Sequence, residues 1–226
     1  AGFRGTISPV TPNRPEIQGL RAYASVADLP AVPDAAIVAV PGRQAIDAIA
    51  ALGQRGTAAA VVFSSGFAET GEDGAALQEE LLATARRYGL RLLGPNCLGV
   101  FNATIGWYPI FSTAFDGGWP KPGRTAVVSQ SGAFGSYLVS LARERGLGTP
   151  VGVTTGNEAD LTVGDAIQWC VESPDIDVIM AYAEGIKSAD TFVAALAAAQ
   201  RAGKPVIVMK VGTSELGHGA AQSHTA

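Results

Sequence analysis

Four groups of residues have the types and spacing for chemistry. An apolar strand over residues 125–128 runs into Ser129-Gln-Ser-Gly132, after which Tyr137, Leu138, Leu141 and Ala142 continue a helix. A strand, a glycine-bearing turn and a helix start leave several backbone N–H groups without partners, with the positive end of the helix dipole behind them. Such a turn suits a phosphate or another anion. The same residues serve equally as a tight connection with Ser131 as N-cap. Glu184 directly follows a second apolar strand, residues 178–182. The two histidines of the chain, His218 and His224, lie in a glycine- and serine-rich tail. A histidine beside an anion site and a carboxylate can take a phosphoryl group on one ring nitrogen, while the carboxylate orients the imidazole and keeps the other nitrogen protonated. A solvated histidine near a chain end is the plainer reading of the same residues. Arg14, in Thr11-Pro-Asn-Arg-Pro15, is the fixed positive charge among the strand-end loops of the first half and so the one available there to a ligand phosphate.

These groups need a frame that brings distant residues together. Strands are expected at residues 6–10, 34–40, 58–63 and 90–93, and again at 125–128, 151–154, 178–182 and 206–210. Helices are expected at 44–52, 75–88, 132–144, 162–172 and 189–201. Apolar strands alternating with amphipathic helices predict right-handed βαβ units and parallel sheets covered on both faces. Ligands of such sheets bind beyond the carboxyl ends of the strands. In the first half those ends carry Val40-Pro-Gly42, Phe63-Ser-Ser-Gly66 and Gly94-Pro-Asn-Cys-Leu-Gly99. In the second they carry Ser129-Gln-Ser-Gly132, Thr155-Gly-Asn-Glu-Ala-Asp160 and Ala183-Glu-Gly-Ile186. Residues 102–122 lack periodicity and hold Trp107, Tyr108, Phe111, Phe115 and Trp119. This stretch reads as a crossover between domains, with its aromatics packed between them.

Composition narrows the function classes. A chain of 226 residues with 47% apolar and 16% charged residues can build one large or two ordinary cores. A net charge of −4 with no basic run excludes a nucleic-acid-tracking surface. Cys97 and Cys170 stand far apart and form no metal or redox spacing. No apolar run approaches the roughly 18–20 residues needed to span a bilayer, so a cytoplasmic enzyme or binding protein is expected.

Taken together, Gly94-Pro-Asn-Cys-Leu-Gly-Val100, Val128-Ser-Gln-Ser-Gly-Ala-Phe-Gly135, Gly156-Asn-Glu-Ala-Asp160 and the tail through Ser223-His-Thr225 resemble the NDP-forming (ADP-forming) acyl-CoA synthetases, relatives of the succinyl-CoA synthetase alpha subunit. The resemblance covers essentially the whole chain. It implies an α/β fold of two tandem parallel-sheet domains: a Rossmann-like CoA-binding domain over 1–122, with the crossover 102–122, and a flavodoxin-type, succinyl-CoA-synthetase-like domain over 123–226 ending in the phosphohistidine loop. The family's first strand and glycine-rich turn are expected before Ala1, and the family's glycine after the Ser-His-Thr segment is Ala226 here.

The resemblance also implies an acid–thiol ligase that interconverts acyl-CoA, ADP and phosphate with a carboxylic acid, CoA and ATP. His224 matches the phosphorylated histidine and Glu184 the carboxylate that orients it. Ser131, Gly132 and Ala133 match the helix start that holds the phosphoryl group, and Asn157 falls in the loop of the acyl-phosphate pocket, where it is the expected oxyanion donor. For coenzyme A, Arg14 matches a residue beside its phosphates. Phe63, Ser64 and Ser65 match a loop along it, Val40 and Pro41 a wall of the groove, and Asn96 and Cys97 the turn near the thiol. ATP or ADP and Mg are expected on a partner ATP-grasp domain or subunit, with an oligomeric assembly. Two other readings stand beside this one. One is a non-catalytic CoA- or acyl-CoA-sensing module of a fused acetyltransferase, which the presence of His224 and Glu184 disfavours. The other is an NAD or FMN oxidoreductase, for which the chain offers no G-x-G-x-x-G.

Overall fold

The computed structural model describes residues 2–212. Strand β1 (Glu16–Ile17) pairs antiparallel with β2 (Leu20–Arg21) as a small hairpin. The first sheet follows: β3 (Ala35–Val38), α1 (Gly42–Gln54), β4 (Ala59–Val62), α2 (Glu72–Arg87) and β5 (Arg91–Leu93). Its strands are parallel in the order β3-β4-β5. Ala45, Ile46, Ile49 and Leu52 recur at helical spacing on α1 and bury that face against β4, as do Leu81, Leu82 and Ala85 of α2.

The second sheet contains β6 (Val100–Asn102), β7 (Thr125–Ser129), β8 (Val151–Thr154), β9 (Val178–Ala183) and β10 (Val206–Lys210), ordered β10-β9-β7-β8-β6. Helices α3 (Gly132–Glu144), α4 (Val163–Glu172) and α5 (Ala189–Arg201) connect its parallel strands. The α4 start carries a capping box, Thr162 accepting from Asp165 N while Asp165 accepts from Thr162 N at 2.8 Å.

Three sequence expectations change. Residues 6–10 form no strand; Val10 makes an isolated bridge to Tyr23, with Thr11 N donating to Tyr23 O at 2.8 Å. Pro9 and Pro12 remove the donors a ladder there would need. Next, β6 belongs to the second sheet, pairing antiparallel with β8 so that Phe101 lies opposite Gly152. Any Cβ at Gly152 would overlap the Phe101 ring. Finally, most aromatics of 102–122 cover the second sheet and do not fill a gap between domains. Tyr108 stacks on Phe101 at 5.8 Å, Phe115 meets it edge-on at 5.7 Å, and Trp119 lies 4.6 Å from Tyr108. Of these aromatics, Phe111 is the one in ring contact with the first unit, at 4.9 Å from Phe63.

The two sheets share a core. Val61, Leu93 and Cys97 pack in one cluster with Val128, Val153, Val163 and Ile167. Residues 157–161 also lie along the open edge of β5. Asn157 N donates to Pro95 O at 2.9 Å, Ala159 N to Gly94 O at 3.0 Å and Leu161 N to Leu92 O at 3.1 Å. A loop of the second unit thus satisfies the edge that a three-stranded sheet would otherwise expose.

Candidate functional site at the carboxyl ends of the second sheet

Strand β7 ends at Ser129, and Ser131 caps α3 by accepting from Phe134 N at 3.3 Å. Ser129 Oγ donates to Ser131 O at 2.6 Å and fixes the turn from below. The N–H groups of Gly132 and Ala133 open the helix and have no intrahelical acceptor. Ala133 is exposed, while Ser131 and Gly132 are half-buried. The helix start expected at Ser131–Ala133 is therefore formed and accessible.

Strand β9 alternates, burying Ile179, Ala181 and Ala183 on the α4–α5 side. Met180 packs on the other side with Val127 and Val139 of α3. Tyr182 follows Met180 by two residues, and its ring packs 4.3 Å from Phe134 in the first turn of α3. Glu184 follows by two more, just past the end of β9, and its carboxylate lies beside the Tyr182 phenol. The half-buried Glu184 has an Oε2 atom shielded from solvent with no hydrogen-bond partner among the described residues. Burial raises the Tyr182 phenol above its ordinary range, and the Glu184 charge beside it raises it further.

The loop after β8 is organised differently. Gly156 has φ +60°, and a Cβ there would run into the carbonyl oxygens of Pro95 and Asn96. This close approach seats Asn157, 1% exposed, between the two units. Its Oδ1 accepts from Asn96 Nδ2 at 3.1 Å, its Nδ2 donates to Gln78 Oε1 at 3.0 Å and to Glu69 Oε2, and its carbonyl accepts from Lys187 Nζ at 2.7 Å. Both amide hydrogens of Asn157 are committed, so the free oxyanion donor expected at this position is not presented. Its place is that of a cross-link. Glu69 Oε1 also accepts from Gly66 N at 2.5 Å and Phe67 N at 3.2 Å. Burial opposes ionisation of Glu69, but the hydrogen bonds from Asn157 and these amides hold it below its ordinary value. The neighbouring Glu158, 5% exposed, accepts from Thr155 Oγ1 and Val163 N, both at 2.8 Å, yet burial outweighs these bonds and raises its carboxyl.

The expected CoA residues fall into two sets. Val40, Pro41, Ser65 and Arg14 are exposed and Phe63 and Ser64 half-buried on the first unit. Ser64 Oγ donates to Val40 O at 2.6 Å, joining two of these loops. Asn96 takes φ +56° and donates its N–H to Ser64 O at 2.9 Å, so one residue bridges the Ser64 loop and Asn157. Cys97 lies deeper than the rest of this set. It is 3% exposed in the shared core, with Sγ 3.4 Å from Val62 O, and burial pushes its thiol up to about 12. It contributes no surface to a groove and is no nucleophile. His218 and His224 lie outside the described residues. Those described residues contain no group of three or more His, Cys, Asp or Glu able to hold a metal, and no helix long and apolar enough to cross a membrane.

Four residues of the site carry no role in the sequence reading. Gln78 had a signal: it sits three residues before Leu81 and four before Leu82, on the buried stripe of α2, where a polar side chain needs a partner. Glu69 and Lys187 have their partners 88 and 30 positions away in the chain, beyond the reach of local pattern, and Glu158 enters the sequence reading only as part of the Gly156–Asp160 motif.

Fold and rim define an α/β protein with one parallel and one mainly parallel sheet, an accessible helix start and a half-buried carboxylate where a ligand of such sheets binds. A CoA-binding domain model matches residues 3–103, and a succinyl-CoA ligase like flavodoxin domain model matches 122–226. The chain is 40% identical over 225 residues to a trans-feruloyl-CoA synthase from an unknown prokaryotic organism, covering 99% of this chain and 32% of that protein. It is 35% identical over 221 residues to the alpha subunit of ADP-forming acetate–CoA ligase II of Pyrococcus furiosus, covering 98% and 47%. The solved dinucleotide-forming acetyl-coenzyme A synthetase 1 of Ca. Korarchaeum cryptofilum, in complex with phosphate and ADP, superposes with a TM-score of 0.89 at 36% identity, covering 99% of this chain and 47% of that one. The chain belongs to the ADP-forming acyl-CoA synthetase family, with a CoA-binding domain followed by a succinyl-CoA-ligase-like, flavodoxin-type domain. It spans between about a third and a half of the length of these relatives.

Proposed function

We propose that this chain is the CoA-binding and phosphohistidine part of an acid–CoA ligase that interconverts acyl-CoA, ADP and phosphate with a carboxylic acid, CoA and ATP. The observation that carries the reading is the pairing, on one rim, of an open helix start at Ser131–Ala133 with a carboxylate whose buried Oε2 lacks a partner among the described residues. A shielded carboxylate oxygen is costly unless something donates to it, and an imidazole N–H is the donor the reading supplies.

In this reading an ATP-grasp partner, which carries ATP or ADP and Mg, phosphorylates a ring nitrogen of His224. The second ring N–H donates to Glu184. A carboxylate oxygen of the acid then attacks phosphorus; the P–N bond breaks, a P–O bond forms, and the histidine leaves neutral. The acyl phosphate rests on the N–H groups of Gly132 and Ala133, where the dipole of α3 favours its charge. CoA lies along Val40, Pro41 and the Phe63–Ser64–Ser65 loop, with Arg14 beside its phosphates. Its thiol loses a proton and attacks the acyl carbon near Asn96, and inorganic phosphate departs. Asn157 holds the Asn96 turn and the Gly156 loop in place and takes no part as an oxyanion donor. Cytoplasmic location and an oligomeric assembly belong to the same proposal.

The test uses the complete enzyme with γ-labelled ATP. Acid-labile label on the parent protein and none on His224→Ala is expected. Label that persists in His224→Ala would overturn the assignment of the carrier.

A further inference from the structure

We propose that Gln130 is a positioning residue that sets Glu184 against the start of α3, an inference resting on the phosphohistidine reading above. Gln130 is 3% exposed, one residue before the α3 cap, and no role falls to it from that reading. Its Oε1 accepts from Glu184 N at 2.6 Å and from Gly185 N at 2.9 Å, while its Nε2 donates to Gly185 O at 2.8 Å. One side-chain amide thereby engages both faces of the Glu184–Gly185 backbone. Its own backbone is tied in as well: Gln130 N donates to Tyr182 O at 3.0 Å, and Gly156 N donates to Gln130 O at 3.2 Å. The helix start, the Glu184 loop and the Gly156 loop therefore meet at this single residue.

The chemistry requires such a device. Glu184 follows the last residue of β9, beyond the ladder that fixes the strand, and its Oε2 is held by no partner among the described residues. A carboxylate left to find its own orientation would not reliably meet an imidazole N–H. Lys210 Nζ also donates to Glu184 O, at 2.8 Å, but from an exposed side chain on the edge strand. Gln130 is the buried restraint, and an amide provides what the loop needs: an acceptor for two N–H groups and a donor for one C=O. A carboxylate at this position could not donate, and the nearby Glu158 would oppose its charge.

The experiment is a double-mutant cycle on the complete enzyme with its ATP-grasp part, reading single-turnover phosphorylation of the protein from ATP. Gln130→Met keeps the volume and removes all three hydrogen bonds to the Glu184–Gly185 backbone, together with the amide's hydrogen bond to the Glu158 carboxylate. Misplacement of a catalytic group by about 1 Å can cost on the order of 100-fold, and a loss of about 10- to 100-fold is expected here. The melting temperature and the affinity for CoA supply the structural control, and CoA affinity should not move. Gln130 acts through Glu184, so adding Gln130→Met to Glu184→Gln should cost less than about threefold more. Equal losses in the two backgrounds would overturn the proposal. Should the Met variant fail to fold, Gln130→Asn, whose amide is one methylene short of the loop, is read through the same cycle. A parent enzyme that takes no acid-labile label would instead remove the phosphohistidine reading and leave the Gln130 clamp to be judged by hydrogen exchange at the Glu184 and Gly185 amides. That exchange must accelerate in the variant for the clamp to stand.

Discussion

The Gly156–Asp160 loop and the Ala183–Lys187 loop follow β8 and β9, which flank β7 in one sheet, and they use their polar residues in opposite ways. Asn157 has every side-chain polar group engaged, with partners from α2 and two loops. Glu184 has its backbone clasped by Gln130 and Lys210 but leaves a shielded carboxylate oxygen without a partner among the described residues. A saturated buried amide holds two units together and has nothing left for a ligand. A clasped backbone carrying an oxygen without a partner among the described residues is, in the proposed phosphohistidine reading, a group presented for an imidazole. Motif position alone treats both residues as site residues; hydrogen-bond accounting separates them.

The largest effect expected is at the unpartnered oxygen. Glu184→Gln should lower phosphorylation of the complete enzyme by about 100-fold or more, as removal of a group that manages a proton commonly does, and should leave thermal stability unchanged. A large fall in melting temperature with an intact phosphorylation rate would make Glu184 a structural residue and erase the contrast.

Asn157→Ala should invert that pattern. It leaves Gln78 Oε1 and Glu69 Oε2 without their Asn157 donor and removes the link to Asn96, so a loss of about 3 kcal/mol in urea unfolding is expected. The residual phosphorylation of the folded fraction should fall far less than in Glu184→Gln. If stability is unchanged and turnover is lost, the oxyanion role returns to Asn157.

A smaller effect is expected at the exposed rim of the first unit. Arg14→Ala should weaken CoA binding by about two- to fivefold in calorimetric titration, because an exposed ion pair contributes only about 0.2–1 kcal/mol. Unchanged affinity would remove Arg14 from the CoA groove.

The smallest effect concerns Glu158. Its folded-state carboxyl is raised by burial, so between its ordinary value and the raised one the native state binds more protons than the unfolded state. Stability therefore falls as pH rises through that window, and the cost of ionisation is fully present above it. Glu158→Gln cannot ionise and can still accept from Thr155 and Val163. Its melting temperature should decline less between pH 5 and 8, and at pH 7 it should lie within about 1 kcal/mol of the parent or above it. A slope equal to the parent's would show that Glu158 is not the buried acid responsible.

Much of the architecture could be read along the chain. The periods of β7, α3, β9 and α5 gave their bounds to within a residue, since each buries one face or both and its apolar residues recur accordingly. The helix start at Ser131 was legible for the same local reason: a strand, small residues and a cap within a few positions. Residues 6–10 misled because apolar content there is interrupted by Pro9, and β6 was hidden because its pairing depends on Gly152, some fifty positions on.

The amino-acid order by itself determined the succession of strands and helices, the strand-to-helix turn capped by Ser131 and the identity of Glu184 as a carboxylate at a strand end, all set by periodicity and by neighbours close in the chain. Only the tertiary structure decided which polar residues are spent and which remain. Gln130 became a clasp, Asn157 a cross-link and Cys97 a core residue because their partners come from distant segments. Hydrogen-bond satisfaction is a property of the folded surroundings, and no local pattern records it.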